Sequence, residues 1–536
     1  MALLRIEDLR LRIGEAELLK GVSLEVEPGE TLGLVGESGS GKSITALSIL
    51  RLSPPGATMS GRILLGDQDL TAAGEAEMRA VRGGQVGVVF QEPMTALNPL
   101  MRIGDQVAES IALHRRVGRA EATAQAARAL ERVGLPASRF PLDRYPHELS
   151  GGQRQRVAIA MAMAVKPRLL IADEPTTALD VTTQAQILDL LRDLVREDGA
   201  GLILITHDLA VVAEMADRVA IMRQGEIVEQ GPTGVLLRGL THPYARKLAE
   251  DAVLASAAPP ARVSDDAPVM EARGVVRAYP GRRTSPWRRA QPFRAVDGVS
   301  LTVRVGETVG LVGESGSGKS TLLRAVLGLE ALQGGEVRLD GASFPPASPA
   351  EARRLRRKIQ AVFQDPFGSF DPRWRVEDLV AEPFHLLERP PMGAARRAAV
   401  QAMLERVGLP PDASDRYPHQ FSGGQRQRIA IARALITEPR LVVLDEAVSA
   451  LDVTVRAQVL ELLARLSQEL GVSYLFVTHD LGVVRAICHR VAVMQGGRIV
   501  EEGTTDDVFL RPRHAYTQSL LSATPNLERA LAARGA

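Results

Sequence analysis

One cysteine, Cys488, occurs in 536 residues. That excludes an intramolecular disulfide and any multi-cysteine zinc or iron–sulfur site built by one chain, and it fits a reducing, cytosolic setting. Aromatic residues are scarce, at 4%. Long apolar runs are missing too: the longest with helical spacing is Val157 to Val165, where a spanning helix needs about 20 residues. If the protein works at a membrane, other chains do the spanning. The opening Met1-Ala-Leu-Leu-Arg-Ile-Glu-Asp8 shows no charged segment followed by an apolar one, so no secretory signal is expected. Charge of one sign is also lacking: 65 basic and 64 acidic residues leave a net +1, without the basic excess of a protein that lives on a polyanion. Gly 48 and Pro 32 are too few for a low-complexity chain, and 45% apolar residues are enough for packed cores.

What is present is written twice. Gly36-Glu-Ser-Gly-Ser-Gly-Lys-Ser43 recurs as Gly313 to Ser320, and Ser150-Gly-Gly-Gln-Arg-Gln-Arg156 as Ser422 to Arg428. Ala172-Asp-Glu174 matches Leu444-Asp-Glu446, and Thr206-His-Asp-Leu209 matches Thr478-His-Asp-Leu481. The spacing between copies is far too long for a solenoid and suits duplicated domains. We therefore expect a first domain over 1–254, a small-residue, Pro-rich linker over 255–267 and a second domain over 268–536. In each half, short β-branched strands alternate with helical stretches, which predicts a mostly parallel α/β core. An Ala-, Glu- and Arg-rich block between Gln91 and Ser150 reads as an inserted helical subdomain.

The glycine-rich loop follows a strand and opens a helix in both halves. Gly36, Glu37, Ser38, Gly39, Ser40, Gly41, Lys42 and Ser43 make the first copy, and Gly313, Glu314, Ser315, Gly316, Ser317, Gly318, Lys319 and Ser320 the second. Glycines let backbone N–H groups wrap phosphate oxygens, and the helix adds its positive end. Lys42 and Lys319, two of only six lysines, would reach the β- and γ-phosphates, and Ser43 and Ser320 would hold Mg²⁺. A chance glycine-rich turn is the bland reading of one copy; two identical copies with downstream partners remove it. Each apolar strand Leu169–Ala172 and Leu441–Leu444 ends in two acids. Strand alternation would turn Asp173 and Asp445 to the metal and Glu174 and Glu446 to an attacking water. Such a pair at a strand end also fits a helix cap, but the duplication behind phosphate loops favours chemistry. Ser150, Gly151, Gly152 and Gln153, like Ser422, Gly423, Gly424 and Gln425, open a helix with a Ser cap. Two glycines there weaken the helix, which backbone approach to an anion would explain. As each half already has its phosphate loop, that anion belongs most economically to the other half. His207 and His479 end strands and point to a γ-phosphate contact, although a lone histidine is more often structural. For Gln91 and Gln364, contact with metal or water and a mere lead into the helical subdomain both stay open.

Together these residues resemble the ATP-binding cassette family over nearly the whole chain, in family order, twice. The resemblance implies two tandem P-loop nucleotide-binding domains, each a RecA-like α/β core with an antiparallel β subdomain and an inserted helical subdomain. It implies ATP and Mg²⁺ as cofactors, with the halves paired head to tail. One site then joins Gly36–Ser43, Gln91, Asp173, Glu174 and His207 to Ser422–Gln425; the other joins Gly313–Ser320, Gln364, Asp445, Glu446 and His479 to Ser150–Gln153. Ala178-Leu-Asp180 and Ala450-Leu-Asp452 look like the family's D-loops. Both sites keep their glutamate and histidine, so both are expected to hydrolyse ATP. Where the family stacks adenine on an aromatic, the second half has Tyr279 and the first Ile13; after Lys-Ser the second has Thr321 and the first Ile44. The site on the second loop is therefore expected to bind nucleotide more tightly.

Phe90-Gln-Glu-Pro-Met-Thr-Ala-Leu-Asn-Pro99, Phe363-Gln-Asp-Pro-Phe-Gly-Ser-Phe-Asp-Pro372 and the tails Thr241-His-Pro-Tyr244 and Arg513-His-Ala-Tyr516 look like the oligopeptide/dipeptide branch, and the fusion like microcin C-type and glutathione importers. That implies an ATPase coupling subunit, peripheral on the cytoplasmic face of the inner membrane. Its partners would be two permease subunits and, indirectly, an extracytoplasmic solute-binding protein, with no nucleic acid. Phe367, Phe370 and Trp374, with Met94, Leu97 and Leu100 in the first half, read either as subdomain core or as a groove for a permease helix. The Pro280–Phe293 insertion reads as a solvated loop or, more weakly, as a contact for anionic lipid. The rival reading is a twin-cassette ATPase acting on ribosomes or nucleic acid, which the balanced charge and short linker disfavour.

Overall fold

The computed structural model describes residues 2–91, 96–177, 179–252, 267–281, 292–346, 348–366, 368–449 and 451–534. Each half carries two sheets. In the first half, β1 (Leu4–Ile13), β2 (Ala16–Val26), β4 (Ala57–Leu65) and β5 (Gln68–Asp69) form an antiparallel sheet in the order β2-β1-β4-β5. The second sheet runs β10-β9-β3-β8-β7-β6, from β3 (Thr31–Val35), β6 (Val86–Val89), β7 (Leu169–Asp173), β8 (Gly201–Thr206), β9 (Arg218–Arg223) and β10 (Glu226–Pro232). Its pairings are parallel except β9 with β10. The second half repeats this plan. The strands that carry chemistry there are β13 (Thr308–Val312), β16 (Ile359–Val362), β17 (Leu441–Asp445) and β18 (Ser473–Thr478). Its antiparallel sheet is formed by β11 (Met270–Tyr279), β12 (Phe293–Val303), β14 (Gly334–Leu339) and β15 (Ala342–Phe344) in the order β12-β11-β14-β15, and its parallel sheet, which ends in β19 (Arg490–Gln495) and β20 (Arg498–Thr504), runs β16-β17-β18-β13-β19-β20.

The parallel strands read as near-continuous apolar runs because both their faces are covered. Leu169 and Ile171 join β1, β2 and the helix Lys42–Ile49 in one core, while Leu170 and Ala172 face a second core. That second core contains the inserted helices Ile103–Arg115 and Arg119–Arg132, as the sequence led one to expect. The parallel register then decides where function sits. Val35 pairs with Thr206, Asp173 with Ile205 and Val89 with Ala172, so the ends of β3, β6, β7 and β8 open on one edge. That edge, outside the carboxyl ends of the strands, is where open α/β sheets bind ligands. Val312–Thr478, Asp445–Val477 and Val362–Leu444 repeat the alignment in the second half.

The halves are joined reciprocally. The helix Pro243–Ala252 packs on Val453–Leu470, and Ala515–Ala523 packs on Val181–Asp198. The last helix, Leu527–Ala533, crosses to the first half and lies against the helix Leu209–Met215. The expected linker, apart from Ala267, and residues 282–291 of the insertion lie outside the described residues.

Candidate functional site

Each phosphate loop owes its path to two glycine positions. A Cβ on Gly36 would lie 2.2 Å from the Met222 carbonyl oxygen, and one on Gly313 at 2.2 Å from that of Met494, so any side chain would strike backbone. Gly41 and Gly318 stand at φ of 105° and 108° and start the helices Lys42–Ile49 and Lys319–Val326. Inside the loop, Lys42 Nζ donates to the carbonyls of Gly36 and Glu37, both at 2.8 Å. Lys319 Nζ donates likewise to Gly313 (2.6 Å) and Glu314 (2.8 Å). Burial lowers both ammonium pKa values, opposed by neighbouring acids. Among those acids, Asp452 acts on Lys42 and Asp180 on Lys319, each contributed by the opposite half.

Glu174 is gripped on three sides. Gln91 Nε2 donates to its Oε2 (2.9 Å), Thr177 Oγ1 to the same oxygen (2.9 Å), and His207 Nδ1 lies 3.2 Å from Oε1. Burial alone would raise this carboxyl, but His207, Thr177 and Lys42 outweigh it and hold it at about 2. Glu446 has Gln364 Nε2 at 2.8 Å and His479 Nδ1 at 3.3 Å, and its pKa is also lowered against the opposing pull of burial. The third partner differs: Ser449 Oγ, where the first half has Thr177, turns to the Glu446 backbone carbonyl. Both glutamates sit beyond the strand in the left-handed region, at φ 46° and 48°. The divergence of each Asp–Glu pair therefore comes from this backbone reversal, not from the strand alternation expected from sequence. Gln91 and Gln364 meet the glutamates, which places them in the site.

Asp173 Oδ1 is buried without a hydrogen-bond partner. Burial raises the Asp173 carboxyl against the hydrogen bond from Ser43; burial and the charge of Glu446 push Asp445 up to about 6. Serine hydroxyl, glutamine amide and carboxylate are hard oxygen donors, and an orphaned buried carboxylate oxygen beside them suits Mg²⁺. Among the described residues no cluster of three or more His, Cys, Asp or Glu could hold a metal.

The signature turns have the expected Ser caps: Gln153 N donates to Ser150 Oγ (3.3 Å) and Gln425 N to Ser422 Oγ (3.4 Å). One glycine of each pair has a packing reason as well. A Cβ on Gly152 would lie 2.4 Å from Thr183 Cγ2, and one on Gly424 at 2.4 Å from Val455 Cγ1. That second glycine is required by packing against the next helix, while a Cβ on Gly151 or Gly423 would meet nothing closer than 3.6 Å. Ser150 and Ser422 are exposed, and the contact that joins the halves at a phosphate loop comes from the first D-loop. Ser315 N donates to Asp180 Oδ2 (3.3 Å), and Thr182 Oγ1 to Glu314 Oε1 (2.7 Å). Thr177 and this D-loop bond escaped the sequence reading, since neither a threonine after Asp-Glu-Pro nor a helix-capping Asp announces its distant partner. Between the halves lies a cavity of about 950 Å³, lined by Glu174, Thr177 and His207 on one side and Ser449, Arg456 and His479 on the other.

Of the residues expected beside adenine, Tyr279 has Arg277 over its ring at 4.6 Å and donates its hydroxyl to Glu330 (2.6 Å), while Ile13, like Ile44 of the first phosphate loop, packs against the first core. Phe370 and Leu97 are core, whereas Trp374 and Leu100 are 43% and 85% exposed. Met94 and Phe367 lie outside the described residues.

Two glycine-rich loops with buried lysines, each in a half whose strand-end glutamate is held by a glutamine and a histidine, define a twin-cassette P-loop ATPase. The chain belongs to the ABC transporter family, whose profile matches residues 19–177 and 296–449, and it binds and hydrolyses ATP. The oligopeptide/dipeptide transporter C-terminal region matches residues 500–535. Glutathione import ATP-binding proteins GsiA of Salmonella choleraesuis and Escherichia coli K12 are each 46% identical to it, over 95% of this chain and 87% of theirs. Among solved structures, the dimeric post-hydrolysis state of the ATP-binding cassette MJ0796 bound to ADP and Pi aligns with 43% of this chain and 98% of its own, at 31% identity and a TM-score of 0.39.

Proposed function

We propose that this chain is the energy-coupling ATPase subunit of a bacterial importer of peptides or peptide-like solutes. The observation that carries the reading is the likeness, over 95% of the chain, to ATP-binding proteins of glutathione import. The oligopeptide/dipeptide-type C-terminal region supports it. Its partners are two permease subunits, reached through the exposed Trp374 and Leu100 segments, and through them an extracytoplasmic solute-binding protein. Its place is the cytoplasmic face of the inner membrane; no described helix is long and apolar enough to cross it.

In the mechanism, Gly36–Ser43 with Ile44, and Gly313–Ser320 with Thr321, wrap the phosphates of ATP, and Tyr279 faces the base in the second half. Ser43, Gln91 and Asp173, or Ser320, Gln364 and Asp445, would hold Mg²⁺. When bound, that ion would neutralise phosphate charge. Glu174 and Glu446 orient and polarise the attacking water. With a pKa near 2, Glu174 is a weak base, which suits a reaction governed by positioning and electrostatics. His207 and His479 hold the glutamates and stand ready for the γ-phosphate, and the signature turns Ser150–Gln153 and Ser422–Gln425 close each site from the opposite half. Joining and parting of the halves then moves the permease.

Reconstitution tests this. The chain should co-purify with two permease subunits and drive ATP-dependent uptake of glutathione or short peptides into proteoliposomes supplied with the solute-binding protein. Failure to join any permease, with co-sedimentation on ribosomes instead, would overturn the reading.

A further inference from the structure

The histidine–X–tyrosine tails have so far served only as marks of kinship, yet each reaches a phosphate loop. Glu37 N donates to the Tyr244 hydroxyl at 3.0 Å, and Glu314 N to the Tyr516 hydroxyl at 2.8 Å. Both tyrosines are 8% exposed. The residue they hold is the one whose carbonyl accepts from the loop lysine: Glu37 O from Lys42 and Glu314 O from Lys319, both at 2.8 Å. One residue is thus fixed at its N–H by the tail and at its C=O by the lysine. The loop's other flank is closed by the Met222 and Met494 carbonyls that forbid a Cβ on Gly36 and Gly313.

The tails are anchored in turn. Glu229 accepts from the N–H groups of Thr241 and His242, both at 2.7 Å, and Glu501 from those of Arg513 (2.8 Å) and His514 (3.0 Å). His242 Nδ1 and His514 Nδ1 accept from Tyr244 N and Tyr516 N, each at 3.2 Å. The same chain of bonds occurs twice in one polypeptide.

We propose that Tyr244 and Tyr516 are positioning residues for the phosphate loops, so that each half's tail sets the ATP affinity of its own site. The proposal rests on ATP binding at these loops. Without the hydroxyl, the Glu37 peptide is released to find water or another acceptor in the free protein, and nucleotide must restore the cradle on binding. That penalty falls on affinity and spares the chemical step.

The experiment compares Tyr244→Phe with Tyr244→Leu, and Tyr516→Phe with Tyr516→Leu, in the full chain. It reads KM and kcat for ATP, equilibrium binding of a fluorescent ATP analogue, and thermal melting without nucleotide. Loss of the hydroxyl should raise KM and the dissociation constant about fivefold, with kcat within about twofold. Leu should cost more melting temperature than Phe without a further rise in KM. If Phe leaves KM unchanged while the unmodified protein binds ATP, the proposal fails and the ATPase assignment stands. If KM rises only in step with lost melting temperature, the role is packing and the proposal also fails. An unmodified protein that binds no ATP would overturn both.

Discussion

Asp180 does two things with its two oxygens, and a single substitution separates them. Oδ1 caps the helix Val181–Asp198 by accepting from Thr183 N (3.0 Å), and it lies 2.8 Å from Thr182 Oγ1, whose one proton it shares with Glu314 Oε1. Oδ2 accepts from Ser315 N of the opposite phosphate loop. Asp180→Asn keeps an oxygen for the cap and sets an amide N–H against the Ser315 N–H. Losing a bond to a charged acceptor costs about 1.5–3 kcal/mol. At 3.3 Å the lower end applies, and about 1.5 kcal/mol is about tenfold in the balance between joined and parted halves. The assay is steady-state ATP hydrolysis in a Glu174→Gln background, where turnover reports the site on the second loop. KM should rise about tenfold with the capped helix intact, whereas Asp180→Ala should lose about 1 kcal/mol of stability as well. Asp452→Asn, whose partner Val455 N lies in its own helix, should raise KM less. Equal effects of Asp180→Asn and Asp452→Asn, or no effect of the first, would refute the reasoning. Burial raises the Asp180 carboxyl, but bonds from Thr183, Thr182 and Ser315 outweigh it and leave it below its ordinary value of 3.8. Its contribution is therefore complete above that value and lost as pH falls through the folded-state pKa; Asp180→Asn should flatten this part of an acid-unfolding curve.

Glu174→Gln combined with Glu446→Gln should leave ATP binding intact and cut turnover about 10²- to 10⁴-fold, measured by phosphate release; turnover like that of the unmodified protein would remove the glutamates from the mechanism. Titration with a fluorescent ATP analogue should resolve two affinities, the tighter assigned by Thr321→Ile, and a single affinity would cancel the asymmetry drawn from Thr321 and Tyr279. Gly36→Ala should abolish nucleotide binding by the first half, because its Cβ would meet backbone at 2.2 Å, and retained binding would show that the loop can shift. Burial pushes the Cys488 thiol far up, so a thiol reagent should label one group per chain only on unfolding; rapid labelling of native protein would contradict its burial.

The strands that end at Asp173, Thr206 and their repeats were legible because a buried parallel strand is an apolar run that stops where chemistry starts. The parallel register did the rest, bringing four such ends to one edge. β4 was not legible: its partly exposed ATMSGRILL carries no clean alternation. Nor was the left-handed turn at Glu174, since glutamate gives no local sign of a positive φ; its three partners, set by tertiary context, stabilise it. The packing demand on Gly152 and Gly424 was not legible, because sequence shows that a side chain is missing but not what stands in its place. The reach of Tyr244 to Glu37 spans 207 positions, beyond any periodic pattern.

The crossing of Leu527–Ala533 onto the first half makes the polypeptide a loop closed by contact. Arg534, at its end, donates Nε to Ala213 O and a terminal nitrogen to Ala216 O, both at 2.6 Å, where the helix Leu209–Met215 finishes. That helix begins one residue after Asp208, beside His207, so the last turn of the chain rests on the element that carries the first half's histidine. A cut within 255–267 would therefore leave the two pieces held by a second fastening, at high local concentration. Removal of residues 527–534, by contrast, would take away this fastening and leave the halves joined by the chain itself and by the packing of Pro243–Ala252 on Val453–Leu470 and of Ala515–Ala523 on Val181–Asp198.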